Sequence, residues 1–114
     1  MSHAVSPKIS ECISLVEQRY RQALIAPKEE AVMPLQPSAI KTLTGLDQSL
    51  IRKKEKTPLA RRVHKAAESG RRILAMRRFL KYPVTQDSEH LPKKTEEVAL
   101  KILKGAPIHL LSRK

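Results

Sequence analysis

The chain has 114 residues and a formal charge of +12, from 23 Lys and Arg against 11 Asp and Glu. That length suits one small domain. Cys12 is the single cysteine and no apolar run approaches the ~20 residues a bilayer requires, so a disulfide scaffold and a membrane-spanning helix are excluded.

Ser6 and Pro7 start the first element: a capping hydroxyl, then a preset φ at the first helical position. Ile9, Cys12, Ile13, Val16, Tyr20, Ala23 and Leu24 follow at spacings of three and four. They share one arc of about 120° on a helical wheel, so residues 7–25 are predicted as an amphipathic helix. Cys12 lies inside that stripe and reads as a small buried hydrophobe. Residues 26–37 contain Pro27, Pro34 and Pro37 and read as a linker, with Leu35 as its anchor to the core. A short helix is expected from Ser38 to Leu43, with Ile40 and Leu43 inward. Gly45 then marks a turn, and Asp47 caps a second helix running to about Glu55.

Thr57 and Pro58 repeat the cap-and-proline start. The helix that follows places Leu59, Val63, Ala66, Ala67, Gly70, Ile73 and Leu74 on one arc, with Arg61, Lys65, Glu68 and Arg72 opposite. Glycine costs about 1 kcal/mol relative to alanine inside a helix, so Gly70 on the apolar arc points to close contact with another element. Beyond Ala75 the phase changes, and Arg77 and Lys81 fall on the inward arc. The helix is therefore expected to kink, end or leave the core there, with Met76, Phe79 and Leu80 on a projecting end. Pro83 opens a polar loop. Residues 91–104 form the last helix, with Leu91, Val98 and Ile102 inward, Gly105 as its cap and Pro107 beyond. No stretch alternates with period two, so the fold class is all-α: a single domain, a bundle of four to five helices with a Pro-rich linker after the first. Residues 1–6 and 106–114 are expected to be flexible ends.

The charge is concentrated. Residues 52–81 hold twelve basic residues against Glu55 and Glu68, whereas residues 1–51 hold five of each sign. Such a block costs self-repulsion and ordinarily faces a polyanion. The N-terminus lacks a secretory pattern, and a lone thiol fits a reducing compartment. An intracellular location is expected.

Residues 44–55, TGLDQSLIRKKE, resemble the turn and second helix of a lambda-repressor-like helix-turn-helix, the fold of the xenobiotic-response-element family of repressors. Thr44, Gly45 and Leu46 match at the turn, followed by Gln48, Ser49, Ile51 and Glu55; Leu35, Ile40 and Leu43 lead into it. The resemblance implies that Gln48, Ser49 and Arg52 meet base edges and that Lys53 and Lys56 meet phosphates. Arg61, Arg62, Lys65, Arg71, Arg72, Arg77 and Arg78 are the further candidates for the DNA backbone. Asp47 stands where the family has Ser or Thr, and Lys41 and Lys54 stand at packed positions, from which each must bend outward.

His3, His64, His90 and His109 lack metal-ligand spacing and there is no Gly-rich phosphate loop, so no metal, cofactor or enzymatic activity is expected. A small nucleic-acid-binding protein is the leading expectation, with duplex DNA the favoured partner and no membrane partner. A homodimer through residues 7–25 would fit paired half-sites. One alternative is an RNA-binding or ribosome-associated protein; the scarcity of aromatics argues only against single-strand stacking. The other is a helical adaptor that binds an acidic protein.

Overall fold

The computed structural model describes residues 7–81 and 91–106. Ser6, the expected cap of the first helix, and the segments 82–90 and 107–114 lie outside these residues. Five helices and no strand are found among the described residues: α1 (Pro7–Ile25), α2 (Glu29–Val32), α3 (Pro37–Arg52), α4 (Pro58–Lys81) and α5 (Leu91–Leu103). The all-α expectation holds.

α1 occupies the predicted span, and Cys12, Ile13, Val16 and Ala23 of its stripe are buried. This apolar stripe lies inside the monomer. Leu15 and Ile25 are the large apolar side chains that α1 leaves exposed. Residues 26–37 are more than a linker. They hold the single turn of α2, and Val32 and Leu35 are fully buried.

α4 is the axis of the bundle and packs against each of the other four helices. It starts as predicted: Thr57 Oγ1 accepts a hydrogen bond from the Ala60 amide at 3.1 Å, ahead of Pro58. A Cβ added at Gly70 would sit 2.9 Å from Cγ2 of Ile40. The glycine thus permits the close crossing of α3 over α4, as the pattern suggested. The expected break near Ala75 does not occur. α4 runs unbroken to Lys81, with Met76 and Phe79 fully buried. The phase change is real, but it records burial on a second side of the helix rather than departure from the core.

α3 is a larger correction. The short helix, the turn at Gly45 and the second helix are one helix from Pro37 to Arg52. Gly45 has no positive φ; Gly105 is the glycine that does. Ile40, Leu43, Leu46 and Leu50 form one uninterrupted inward row, buried or packed on the core. That row holds the helix through the glycine, because tertiary packing outweighs a propensity cost of about 1 kcal/mol. Asp47 belongs to the same inward side and caps nothing.

Two helices close by the same device. Gly105, at φ 105°, follows α5; its amide bonds the Ile102 carbonyl and the Ala106 amide bonds that of Lys101. At the end of α3 the equivalent position is Lys54, at φ 55°, with the Lys54 amide on Ile51 and the Glu55 amide on Leu50. A lysine thus occupies a conformation that favours glycine, and its side chain stands exposed, as does that of Lys41.

Candidate nucleic-acid interface

α4 carries three adjacent arginine pairs, and each divides the same way. One member is tied to the protein and the other is exposed. Arg62 gives Nε and Nη2 to the Glu17 carboxylate at 3.1 and 2.9 Å. This bonding holds the Glu17 carboxyl below its ordinary range, against an opposing push from desolvation. Arg72 reaches Tyr20 Oη at 3.4 Å, and Tyr20 in turn donates to the Leu103 carbonyl. The Arg72 guanidinium also lies against Gly105, where a cation balances the negative end of the α5 dipole. Arg77 donates to the Leu35 carbonyl at 3.0 Å and to Met33 Sδ at 3.6 Å. These three are structural contacts of α4 with α1, α5 and the α2–α3 connection. The side chains of Arg61, Arg71 and Arg78 make no hydrogen bond or ion pair with any described residue and are exposed.

Arg61 stands beside a second group. The last turn of α3 and the connection to α4 present Arg52, Lys53, Lys54 and Lys56, all exposed. The Lys54 end turn reverses the chain at Glu55, and the Thr57 cap starts α4 at once, so these cations project from one corner. Lys65 lies one helical turn along from Arg61, on the same exposed side. Glu55 is the one acidic residue in the connection between the two helices. Gln48 is exposed on α3 one turn before Arg52, while Ser49 is half-buried.

Arg71 and Arg78 share a different side of α4 from Arg61, about 80–100° around the helix at 100° per residue. Arg78 lines a shallow hollow with Glu29 and Met33. The nine candidate phosphate ligands are therefore not one face: Lys53, Lys56, Arg61 and Lys65 gather at the α3–α4 corner, and Arg71 and Arg78 stand apart.

Sequence reasoning missed the group at the base of this corner. Asp47 is 3% exposed, and His64 Nδ1 lies 3.1 Å from both of its carboxylate oxygens. A carboxylate only accepts, so the ring nitrogen facing it carries the proton. His64 Nε2 is 3.7 Å from Glu68. Asp47 also lines a groove of about 360 Å³ between the end of α3 and the start of α4. Leu50, Ile51 and Ala60 supply its apolar wall, and Lys56 and Arg61 stand with Glu55 at its exposed edge. The available signal was the spacing of Ile40, Leu43, Asp47 and Leu50, which puts the carboxylate in an apolar row; placing a turn at Gly45 concealed it.

No described helix is long and apolar enough to cross a membrane. No protein-family model matches the chain, and neither the curated proteins nor the solved structures provide a match.

Proposed function

We propose that the protein binds nucleic acid, with duplex DNA as the preferred form. Lys53, Lys56, Arg61 and Lys65 hold the phosphate backbone, while Gln48, Arg52 and the edge of Ser49 face the bases from the C-terminal half of α3. The observation that carries the reading is the division of the cations. Arg62 is paired with Glu17, and Arg72 and Arg77 are hydrogen-bonded within the fold, whereas the Lys53, Lys56 and Arg61 side chains at the corner have no hydrogen bond or ion pair among the described residues. Unpaired like charges held on one rigid hairpin of helices repel one another, and a polyanion removes that cost.

Fluorescence anisotropy on labelled duplexes across a salt series tests this. The slope of log K against log salt should be about −4 or steeper, at about −0.9 per phosphate on DNA. Arg61→Ala should weaken every duplex alike and flatten the slope by about 1, while Arg52→Ala should relax sequence preference. Binding that ignores salt would defeat the proposal.

The uninterrupted α3 favours a second reading. A helix-turn-helix uses a short turn to set its recognition helix apart from the supporting one, and α3 runs straight through that position. The same cations then suit the phosphates of structured RNA, whose recognition rests on shape and backbone. Recovering bound nucleic acid from cells, with separate DNase and RNase treatments, decides between the two.

A further inference from the structure

The α3–α4 corner has a feature that phosphate binding does not explain. The groove of about 360 Å³ between the end of α3 and the start of α4 has an apolar wall of Leu50, Ile51 and Ala60. Ile51 is 57% exposed and stands directly before the cations Arg52, Lys53 and Lys54. A sugar–phosphate backbone presents charged oxygens and offers such a side chain little apolar area. Asp47 lines the same groove, but it is 3% exposed and both of its oxygens face His64 Nδ1 at 3.1 Å. It is committed to the fold, and the charges left to a ligand are those at the groove edge. There the side chains of Lys56 and Arg61 make no hydrogen bond or ion pair among the described residues, and they outnumber Glu55.

We propose that this groove docks an acidic segment of a partner protein, with one large aliphatic side chain seated on Leu50, Ile51 and Ala60 and flanking carboxylates on Lys56 and Arg61. Protein interfaces share this layout, an apolar centre inside a polar rim. The sign of the rim selects the partner, because its cations attract carboxylates and repel basic segments. The size of the groove narrows the choice further. About 360 Å³ is near the lower end of the roughly 300–1,000 Å³ found for small-ligand sites, so it admits one large side chain and not the whole apolar face of a helix. The ligand is therefore a short motif, acidic residues around a single leucine or isoleucine. Lys56 and Arg61 also serve phosphate in the nucleic-acid reading, so such a segment competes with nucleic acid for the corner. Only this competition rests on that reading; the docking itself does not.

The test uses the full chain and three synthetic peptides: glutamates around one leucine, the same peptide with alanine for the leucine, and the same with glutamines for the glutamates. Binding is read by NMR at the Leu50 and Ile51 methyl signals. The leucine peptide should bind at least about fivefold tighter than the alanine peptide, the worth of little more than one buried methylene, and should move both signals. The glutamine peptide should bind more weakly at low salt, and the gap should close as salt rises. Equal affinity of the leucine and alanine peptides would leave only attraction between charges and overturn the proposal. So would a glutamine peptide that binds as well as the leucine peptide at low salt. Ile51→Ser changes an exposed side chain, so it keeps the fold and should weaken the leucine peptide severalfold. Leu15→Ser, at an exposed apolar position on α1, should leave it unchanged. Unchanged affinity in Ile51→Ser, or an equal loss in both variants, overturns the proposal. The leucine peptide should also displace a labelled duplex; a duplex that stays bound beside saturating peptide overturns the seat given to the carboxylates. Leucine-peptide binding by a protein that binds no duplex defeats the nucleic-acid reading alone. Duplex binding with the steep salt slope but no preference for leucine over alanine defeats this inference alone.

Discussion

The first half of α4 carries one arginine pair and the second carries two, and the two halves are covered differently by their neighbours. The first half meets its neighbours through Ala60, Ala66, Ala67 and Gly70, all buried, and at Gly70 the Ile40 side chain comes almost onto the backbone. Small side chains let α3 lie close, and the outer side of that half stays bare for Arg61 and Lys65. The second half buries Ile73, Met76 and Phe79 instead. Its neighbours enclose more of it, so Arg72 and Arg77 sit half-covered and must find acceptors: Tyr20 and Glu68 for one, the Leu35 carbonyl for the other. A half-buried guanidinium without acceptors would carry a desolvation cost. Charge density in the sequence therefore does not identify a binding surface; what covers each turn of the helix does.

The largest expected effect is on the core of the second half. Phe79→Ala should cost about 3–5 kcal/mol in urea denaturation, whereas Arg61→Ala in the first half should stay within about 0.5 kcal/mol. A loss below about 1 kcal/mol for Phe79→Ala would be too small for a fully buried aromatic and would return residues 76–81 to a projecting end. The next effect separates members of one pair. Arg77→Ala removes a charged hydrogen bond to a main-chain carbonyl, worth about 1.5–3 kcal/mol. Arg78→Ala should move stability by less than about 0.5 kcal/mol. Equal losses would remove the distinction between structural and free arginines.

Much of this fold was legible locally. The stripe of α1, the Thr57–Pro58 start of α4, the Gly105 end of α5 and the close approach at Gly70 each follow from residue types at fixed spacing. The features that were not legible depend on partners distant in sequence. The phase change after Ala75 looks the same whether a helix leaves the core or gains a second neighbour, and α5, which packs on α4, lies beyond a polar loop. The proline spacing of residues 26–37 hid the turn that buries Val32. Which arginine of each pair is tied depends on Glu17, Tyr20 and Leu35, none of them near α4 in the chain. Asp47 and His64 are 17 residues apart, and their pairing exists only once α3 runs straight and lies on α4.

Two helix-interior glycines sharpen the contrast at smaller magnitude. A Cβ at Gly45 would meet nothing within 4 Å, whereas one at Gly70 meets Ile40. Gly45→Ala should therefore raise stability by about 0.5–1 kcal/mol, through helix propensity and a less flexible unfolded chain. Gly70→Val should lower it by about 1–3 kcal/mol through overpacking. The first substitution also judges the helix-turn-helix resemblance: a true turn with positive φ at Gly45 would make alanine destabilising.

The smallest effect concerns Arg62, the tied arginine of the outward half. Its hydrogen bonds lower the pKa of Glu17 from an ordinary value of 4.5. A carboxyl whose folded pKa is depressed adds stability above its unfolded value, and that stability is lost as the pH falls through the folded one. Denaturation midpoints should thus decline below about pH 4.5, and Glu17→Gln should remove part of that decline while leaving the neutral-pH side of the profile nearly level. The pair is partly solvated, so added salt should shrink the difference. If Glu17→Gln instead left the acid decline intact and Arg62→Ala strengthened duplex binding or left it unchanged, Arg62 would be a spacer on the corner. If Arg62→Ala weakened duplexes as much as Arg61→Ala does, Glu17 would have to release its arginine on binding. The division of the pair would then describe the free protein alone.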